Sequence, residues 1–230
     1  MKLPNTKQEL YSFKENRLPI GLDEAGRGPL AGPVVAGAVF VKESFLKSQK
    51  FETKKTVIRD SKTLSLKQRE EIYDFLLQQK EILIGIGEVS VSTIDRINIL
   101  NASLLAMRLA GENLCKKLVN NNYLDKKDLP YRLEFLVDGN KNVPGFACKQ
   151  NNFPQGDASV FSIAAASICA KVYRDRIMKE LDKQHGNYGF GRHNGYGTKE
   201  HLQNLKKFGP CSAHRKSFAP VKKALRSTAI

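Results

Sequence analysis

The chain has 230 residues, with 38 Lys and Arg against 23 Asp and Glu, a formal net charge of +15 and a hydrophobic fraction of 41%. That length suits one domain with its own core, and the apolar content excludes a disordered, collagen-like or coiled-coil chain. No apolar run approaches the ~20 residues that span a bilayer, the first residues lack a signal-peptide core, and Cys115, Cys148, Cys169 and Cys211 form no C-x-x-C pair. The expectation is therefore a reduced, cytoplasmic protein without membrane contact.

In chain order, residues 1–17 are polar and read as a short arm or helix. Pro19 to Leu22 is a short apolar strand followed by Asp23-Glu24, and Pro33 to Val41 (PVVAGAVFV) reads as a buried strand. Residues 42–63 read as a basic loop. Ser65 opens a helix over 65–79, with capping-box spacing to Gln68 and with Leu66, Ile72, Phe75, Leu76 and Leu77 near one face. Ile82 to Val89 alternates as a strand, and residues 93–119 carry a long helical pattern through Ile97, Leu100, Leu104, Met107 and Leu109. Leu133 to Val137 is a strand ending at Asp138-Gly139-Asn140, and Phe146 to Lys149 reads as another. The Ala-rich run from Ala158 to about Leu181 predicts a helix whose small residues pack closely on a sheet. A Gly-rich stretch (186–198), a helix (199–207) and a basic tail follow. The order predicts an α/β fold, a mixed central sheet of about five strands flanked by helices.

The acidic residues share one context. Asp23 and Glu24 follow the first strand, Asp138 follows the fourth, and Asp157 stands at the start of the long helix. Strand ends are where sites form in open α/β sheets. Converging carboxylates repel one another unless a cation is present, and their hard oxygens select Mg²⁺ or Mn²⁺. Two such ions ~3.5–4 Å apart clamp the attacking and leaving oxygens of a phosphodiester. Taken singly, Asp157 reads equally as a helix cap and Asp138-Gly139-Asn140 as a turn. Gly26-Arg27-Gly28-Pro29-Leu30-Ala31-Gly32 follows directly. On spacing alone it is either a hairpin turn or a turn whose backbone a ligand approaches closely, with Arg27 to meet a phosphate. It is not a Walker A loop, and it matches a dinucleotide fingerprint only weakly.

GLDEAGRGPLAGPVVAGAV at 21–39 resembles the signature of bacterial ribonuclease HII. The resemblance continues through Asp60-Ser61-Lys62-Thr63-Leu64-Ser65, Ile97-Asn98-Ile99-Leu100, Val137-Asp138-Gly139-Asn140 and Gly156-Asp157. It extends to the helix motif 162–175, to His193-Asn194-Gly195-Tyr196-Gly197-Thr198 and to His214-Arg215-Lys216-Ser217-Phe218, and so spans about residues 18–224. It implies a ribonuclease H-like fold in which an arm (1–17) precedes a catalytic domain (18–185) and a basic substrate-binding extension (186–230) packs on that domain. It implies a monomeric, Mg²⁺- or Mn²⁺-dependent endoribonuclease that acts on RNA–DNA hybrids and incises 5′ of ribonucleotides embedded in duplex DNA. Cleavage would leave 3′-hydroxyl and 5′-phosphate ends. By motif, Asp23, Glu24, Asp138 and Asp157 would bind metal. Gly26, Arg27 and Gly28 would read the ribose 2′-hydroxyl, and Tyr196 would pack on the sugar at the junction. Ser61 and Lys62 would contact the nucleic-acid backbone, and Asp175 would lie near the site. Gln155, Thr63 and Asn194 stand where the family often has Lys.

The charge fits a polyanion partner. Residues 41–70 hold nine basic and four acidic side chains, and residues 192–230 hold nine and one. A nonenzymatic RNA–DNA binding module would use the same faces, and a nucleotide-cofactor enzyme is suggested only by the glycines at 26–32. The histidines (His185, His193, His201, His214) read as surface or supporting residues rather than a zinc site. Ser167 and Cys169 read as packing residues.

Overall fold

The computed structural model describes residues 3–54, 58 and 61–227, without the side chains of Lys54, Lys62 and Ser227. In chain order the elements are α1 (Lys7–Lys14), β1 (Leu18–Ala25), β2 (Val34–Val41), α2 (Glu43–Leu46), α3 (Gln49–Lys54), α4 (Leu66–Leu77) and β3 (Ile82–Val89). Then come α5 (Val91–Ile97), α6 (Ile99–Asn120), α7 (Leu129–Arg132), β4 (Leu133–Asp138), β5 (Lys149–Phe153), α8 (Phe161–Gln184), α9 (Phe190–His193), α10 (Lys199–Phe208) and α11 (Ala219–Ser227). Short 3₁₀ turns cover Ser61–Thr63 and Gly156–Ala158.

The sheet runs β3-β2-β1-β4-β5. The first three strands pair antiparallel, and β4 and β5 add parallel beside β1. Every residue of β2 is buried, because helices cover both faces. Val34, Ala36, Ala38 and Phe40 meet Ala102, Ala106, Ala110, Leu114 and Leu118, a stripe of every fourth residue along α6. Val39 and Val41 meet Ile72 and Leu76 of α4 and the alanines of α8. The small residues of α8 let it lie almost on the strands: a Cβ on Gly21 would overlap the Ser162 backbone.

Several elements differ from the expectation. Asp23 and Glu24 lie inside β1, and Asp138 is the last residue of β4. The basic stretch after β2 contains α2, α3 and the Ser61–Thr63 turn. On α4 the Ser65 capping box is present, but Leu66 and Leu77 are exposed, and Ile72, Tyr73 and Leu76 form the buried face. The long helix is broken at Asn98, whose φ of 66° interrupts it; its side chain caps α6 by accepting from the Asn101 N–H at 3.1 Å. Leu100 and Leu109 of that helix are exposed. The last strand is Lys149–Phe153 rather than 146–149. The helix after Asp157 begins at Phe161, with Val160 as its N-cap, so Asp157 sits in the preceding turn and is not the cap. The basic tail forms α11, whose Val221 packs on Leu30 and Leu205.

The N-terminal segment is woven into the core. Asn5 bridges Val160, and the Glu9 carboxylate of α1 accepts from the Ser162 N–H at 2.7 Å, capping α8 from outside its own chain segment.

Candidate active site

The parallel register pairs Leu22 with Val137, so one residue further along the two strands Asp23 stands beside Asp138. Asp138 in turn accepts from the Gly156 N–H at 2.7 Å, which ties the turn carrying Asp157 to the end of β4. Asp23, Glu24 and Asp138 line one cavity of about 320 Å³, together with the Gly26–Gly28 turn, Ser61, Ser167, Lys171, Arg174 and Tyr196. A larger cavity of about 590 Å³, among α6, α7 and residues 145–148, holds none of these acids. Charge, not size, therefore marks the site.

The electrostatics are those of a crowded acidic site. Burial, followed by the charges of Glu24, Asp138 and Asp157, pushes the Asp23 carboxyl well above the usual carboxylate range. Burial raises Glu24 too, opposed chiefly by Arg27, whose guanidinium donates to it at 3.2 Å. The Ser167 hydroxyl donates to Asp23, and Ser61 Oγ lies 3.0 Å from Ser167 Oγ. Among the described residues no three His, Cys, Asp or Glu side chains close into a ready-made ligand cage. The acids face shared space and repel one another, a donor set of hard oxygens that fits a divalent cation.

The turn between β1 and β2 is held from behind. Gly26 has φ 98°, and a side chain there would collide with the Arg174 guanidinium. Arg174 donates to the carbonyls of Pro33, Ala31 and Asn194 at 3.0, 3.0 and 3.1 Å. Arg27 and Gly28 are exposed, and the Tyr196 ring lies 3.4 Å from where a Cβ on Gly28 would stand. Tyr196 itself is 47% exposed.

Among the remaining expected residues, Ser61 lines the cavity, with its turn fastened by Arg69, which donates to the carbonyls of Ser61 and Leu64. The Lys62 side chain lies outside the described residues. Asp175 is buried and does not line the cavity; it pairs with Lys171 at 2.6 Å and Arg69 at 3.7 Å. Ser167, Lys171, Arg174 and Arg215 were not legible as site residues. Ser167 sits in an alanine run that reads as packing, and the two arginines are buried within a surplus of basic residues that reads as solvated. Of the two roles expected for the histidines, surface or supporting, His193, His201 and His214 fit the supporting one, because they are buried.

A mixed sheet with an antiparallel meander, two parallel strands and acids at the central strand ends defines a ribonuclease H-like nuclease fold. Solved structures share it. A ribonuclease H2 from Pyrococcus horikoshii matches at TM-score 0.64 and 24% identity, over 92% of this chain and 98% of that one. An RNase HIII described in complex with Mn²⁺ matches at TM-score 0.65 and 17% identity, over 92% and 70%. The family model of Ribonuclease HII matches residues 20–221. Ribonuclease HII of Chlamydia caviae is 44% identical over 205 residues, 89% of this chain and 85% of that protein. The Albidiferax ferrireducens protein of the same description is 44% identical over 223 residues, 97% and 96%. The chain belongs to the ribonuclease HII family, endoribonucleases that act on RNA–DNA hybrids.

Proposed function

We propose that Asp23, Glu24, Asp138 and Asp157 hold divalent cations, Mg²⁺ or Mn²⁺, and that the enzyme incises 5′ of ribonucleotides embedded in duplex DNA as well as within hybrids. The observation that carries this reading is the convergence of three mutually repelling carboxylates with the Gly26–Gly28 turn and Tyr196 on one cavity. When bound, the ions supply an activated water and neutralise charge on the phosphodiester. Hydrolysis joins a water oxygen to phosphorus and breaks the P–O3′ bond, and the departing 3′ oxygen takes a proton. The ends are then a 3′-hydroxyl and a 5′-phosphate.

The chain's own groups do the reading. The 2′-hydroxyl is what tells RNA from DNA at one nucleotide. The exposed backbone of Arg27 and Gly28 meets it, and the Tyr196 ring packs on the neighbouring sugar, where an added hydroxyl is unwelcome. Specificity then needs no base contact. Ser61, Lys62 and the exposed lysines of α10 and α11 hold phosphates. Asp175 keeps Lys171 charged and aimed along the cavity wall. In this reading residues 186–230 are a duplex-holding extension of the core, the arm 1–17 braces it, and the protein acts as a cytoplasmic monomer. Among the described residues no helix is long and apolar enough to cross a membrane.

The test is a DNA duplex with one ribonucleotide, incubated with Mg²⁺ or Mn²⁺. A single incision 5′ of the ribonucleotide supports the reading. No incision, or equal cutting of all-DNA duplex, refutes it.

A further inference from the structure

Behind the Gly26–Gly28 turn and Tyr196 lies a buried polar assembly that the carboxylate site does not use. His214 Nδ1 accepts from the Cys211 N–H at 3.0 Å, so its proton sits on Nε2. That Nε2 faces His201 Nε2 at 3.0 Å, and His201 Nδ1 is 2.9 Å from the Tyr196 carbonyl. Only one set of protons satisfies all three contacts: Cys211 N–H donates to His214, His214 to His201, and His201 to Tyr196. Both rings are neutral, and each tautomer is set by its neighbour. The Tyr196 carbonyl also accepts from the Thr198 N–H at 2.8 Å, so its peptide is fixed from two sides.

The next residue in the chain does the same for the turn. Arg215 is fully buried, and among the described residues no carboxylate lies within ion-pair distance of it. Its guanidinium donates to five backbone carbonyls: Gly26 at 2.6 Å, Arg27 at 3.1 Å, Pro29 at 2.8 Å, Gly32 at 2.9 Å and Pro33 at 3.1 Å. Burying a cation costs several kcal/mol, roughly, unless every donor is met, and here the count of carbonyls equals the five donors of the side chain. An apolar residue would fill the space at less cost, but it would impose no orientation on the peptides. Within a trans peptide the C=O and the following N–H point in opposite directions. With the Gly26 and Arg27 carbonyls turned in to Arg215, the N–H groups of Arg27 and Gly28 are turned out, toward the cavity.

We propose that His214 and Arg215, neighbours in the chain, form a strut that sets the spacing between the Gly26–Gly28 turn and Tyr196 and so determines selectivity for a ribonucleotide junction. Neither residue touches substrate; both are positioning residues. The proposal rests on the reading of the turn and Tyr196 as the ribose reader. The backbone agrees with it: the Arg215 N–H donates to the Leu30 carbonyl at 2.8 Å, and the Leu30 N–H to the Gly195 carbonyl at 2.8 Å, so one short run joins strut, turn and tyrosine loop.

The test measures the ratio of single-turnover rates on two substrates, a DNA duplex with one ribonucleotide and a long RNA–DNA hybrid, with incision positions mapped. Partial unfolding lowers both rates equally and leaves the ratio alone. Arg215→Lys keeps the charge but cannot serve five carbonyls, and His214→Phe removes both ring contacts. Each is expected to lower the ratio about tenfold to a hundredfold, the size of effect known for a small misplacement remote from the chemistry. Substrate KM should change little, because the phosphate contacts are untouched. His214→Gln, which retains a donor toward His201, should restore most of the ratio. An unchanged ratio and unchanged incision position in both folded variants, with normal wild-type preference, overturns the strut alone. Should Arg215→Lys fail to fold, the His214 pair of variants decides by the same ratio. A wild-type enzyme with no preference for the junction overturns the reader assignment, and the strut with it.

Discussion

The Ser167 hydroxyl, on α8, donates a hydrogen bond to the Asp23 carboxylate inside β1. Burial and the neighbouring acids push Asp23 well toward its neutral form, and this bond is a contact that favours its charge. Ser167→Ala should therefore raise the Asp23 pKa and move the acidic limb of the activity–pH profile to higher pH. The lost hydrogen bond corresponds to roughly 1 kcal/mol, a fewfold drop in kcat at neutral pH. A profile superimposable on wild type would show that the hydroxyl only packs.

Asp23→Asn should stabilise the cation-free protein while abolishing cleavage. The substitution keeps the shape and removes a buried charge that Glu24, Asp138 and Asp157 oppose. The gain follows from removing a group whose charged form the burial and the neighbouring acids disfavour. Thermal unfolding in chelator reads it. The sign also predicts that wild type gains more stability than Asp23→Asn when Mg²⁺ or Mn²⁺ is added. A lower Tm for the variant in chelator would contradict the picture of mutually repelling acids.

The histidine pair makes stability depend on acid. Burial, then the charge of His201, pushes His214 down from 6.5 to about 4. Because the folded value is the lower one, the unfolded chain takes up the proton first as pH falls. Stability is thus complete above about pH 7 and lost between about pH 6.5 and 4, on the order of 2–3 kcal/mol. Urea unfolding at both ends of this range, for wild type and His214→Gln, isolates the contribution. The raised carboxyls Asp23, Glu24 and Glu9 change stability in the opposite direction and are common to both proteins. A His214→Gln curve as steep as wild type would refute the assignment.

The arm has a structural consequence as well. Glu9 supplies α8 with the cap that Val160 cannot, and the Asn5 bridge lies three residues from Asp157. Glu9→Ala should cost about 1–2 kcal/mol, the range for a lost helix cap, and Glu9→Gln distinctly less. Removing residues 1–14 should lower kcat more than KM, because Asp157 loses a support while the phosphate contacts remain.

How much of this is legible in the sequence depends on the physical signal. Strands β2 to β4 and helices α4 and α10 carry apolar runs, alternation or capping residues that report their own structure. The strand β5 does not: KQNNF at a half-exposed sheet edge has no apolar period, and only its parallel pairing with β4 makes it a strand. The break at Asn98 is equally silent, since the apolar pattern runs straight through it. Asp23, Glu24 and Asp138 are found from their place at strand ends, because a carboxylate after an apolar run needs a reason. Arg215 is missed for the converse reason. A basic residue in a basic segment reads as solvated until its partners, backbone carbonyls distant in sequence, are seen.

In the proposed function one acidic cavity cuts and the turn beside it chooses where. The most direct measurement is the incision map of a single-ribonucleotide duplex across a salt series, with wild type and Asp138→Asn. Binding should weaken steeply with salt for both proteins, wild type should keep its incision 5′ of the ribonucleotide, and Asp138→Asn should give no product despite retained binding. An incision site that moves with salt, or cleavage by Asp138→Asn at the wild-type rate, would contradict the proposed function.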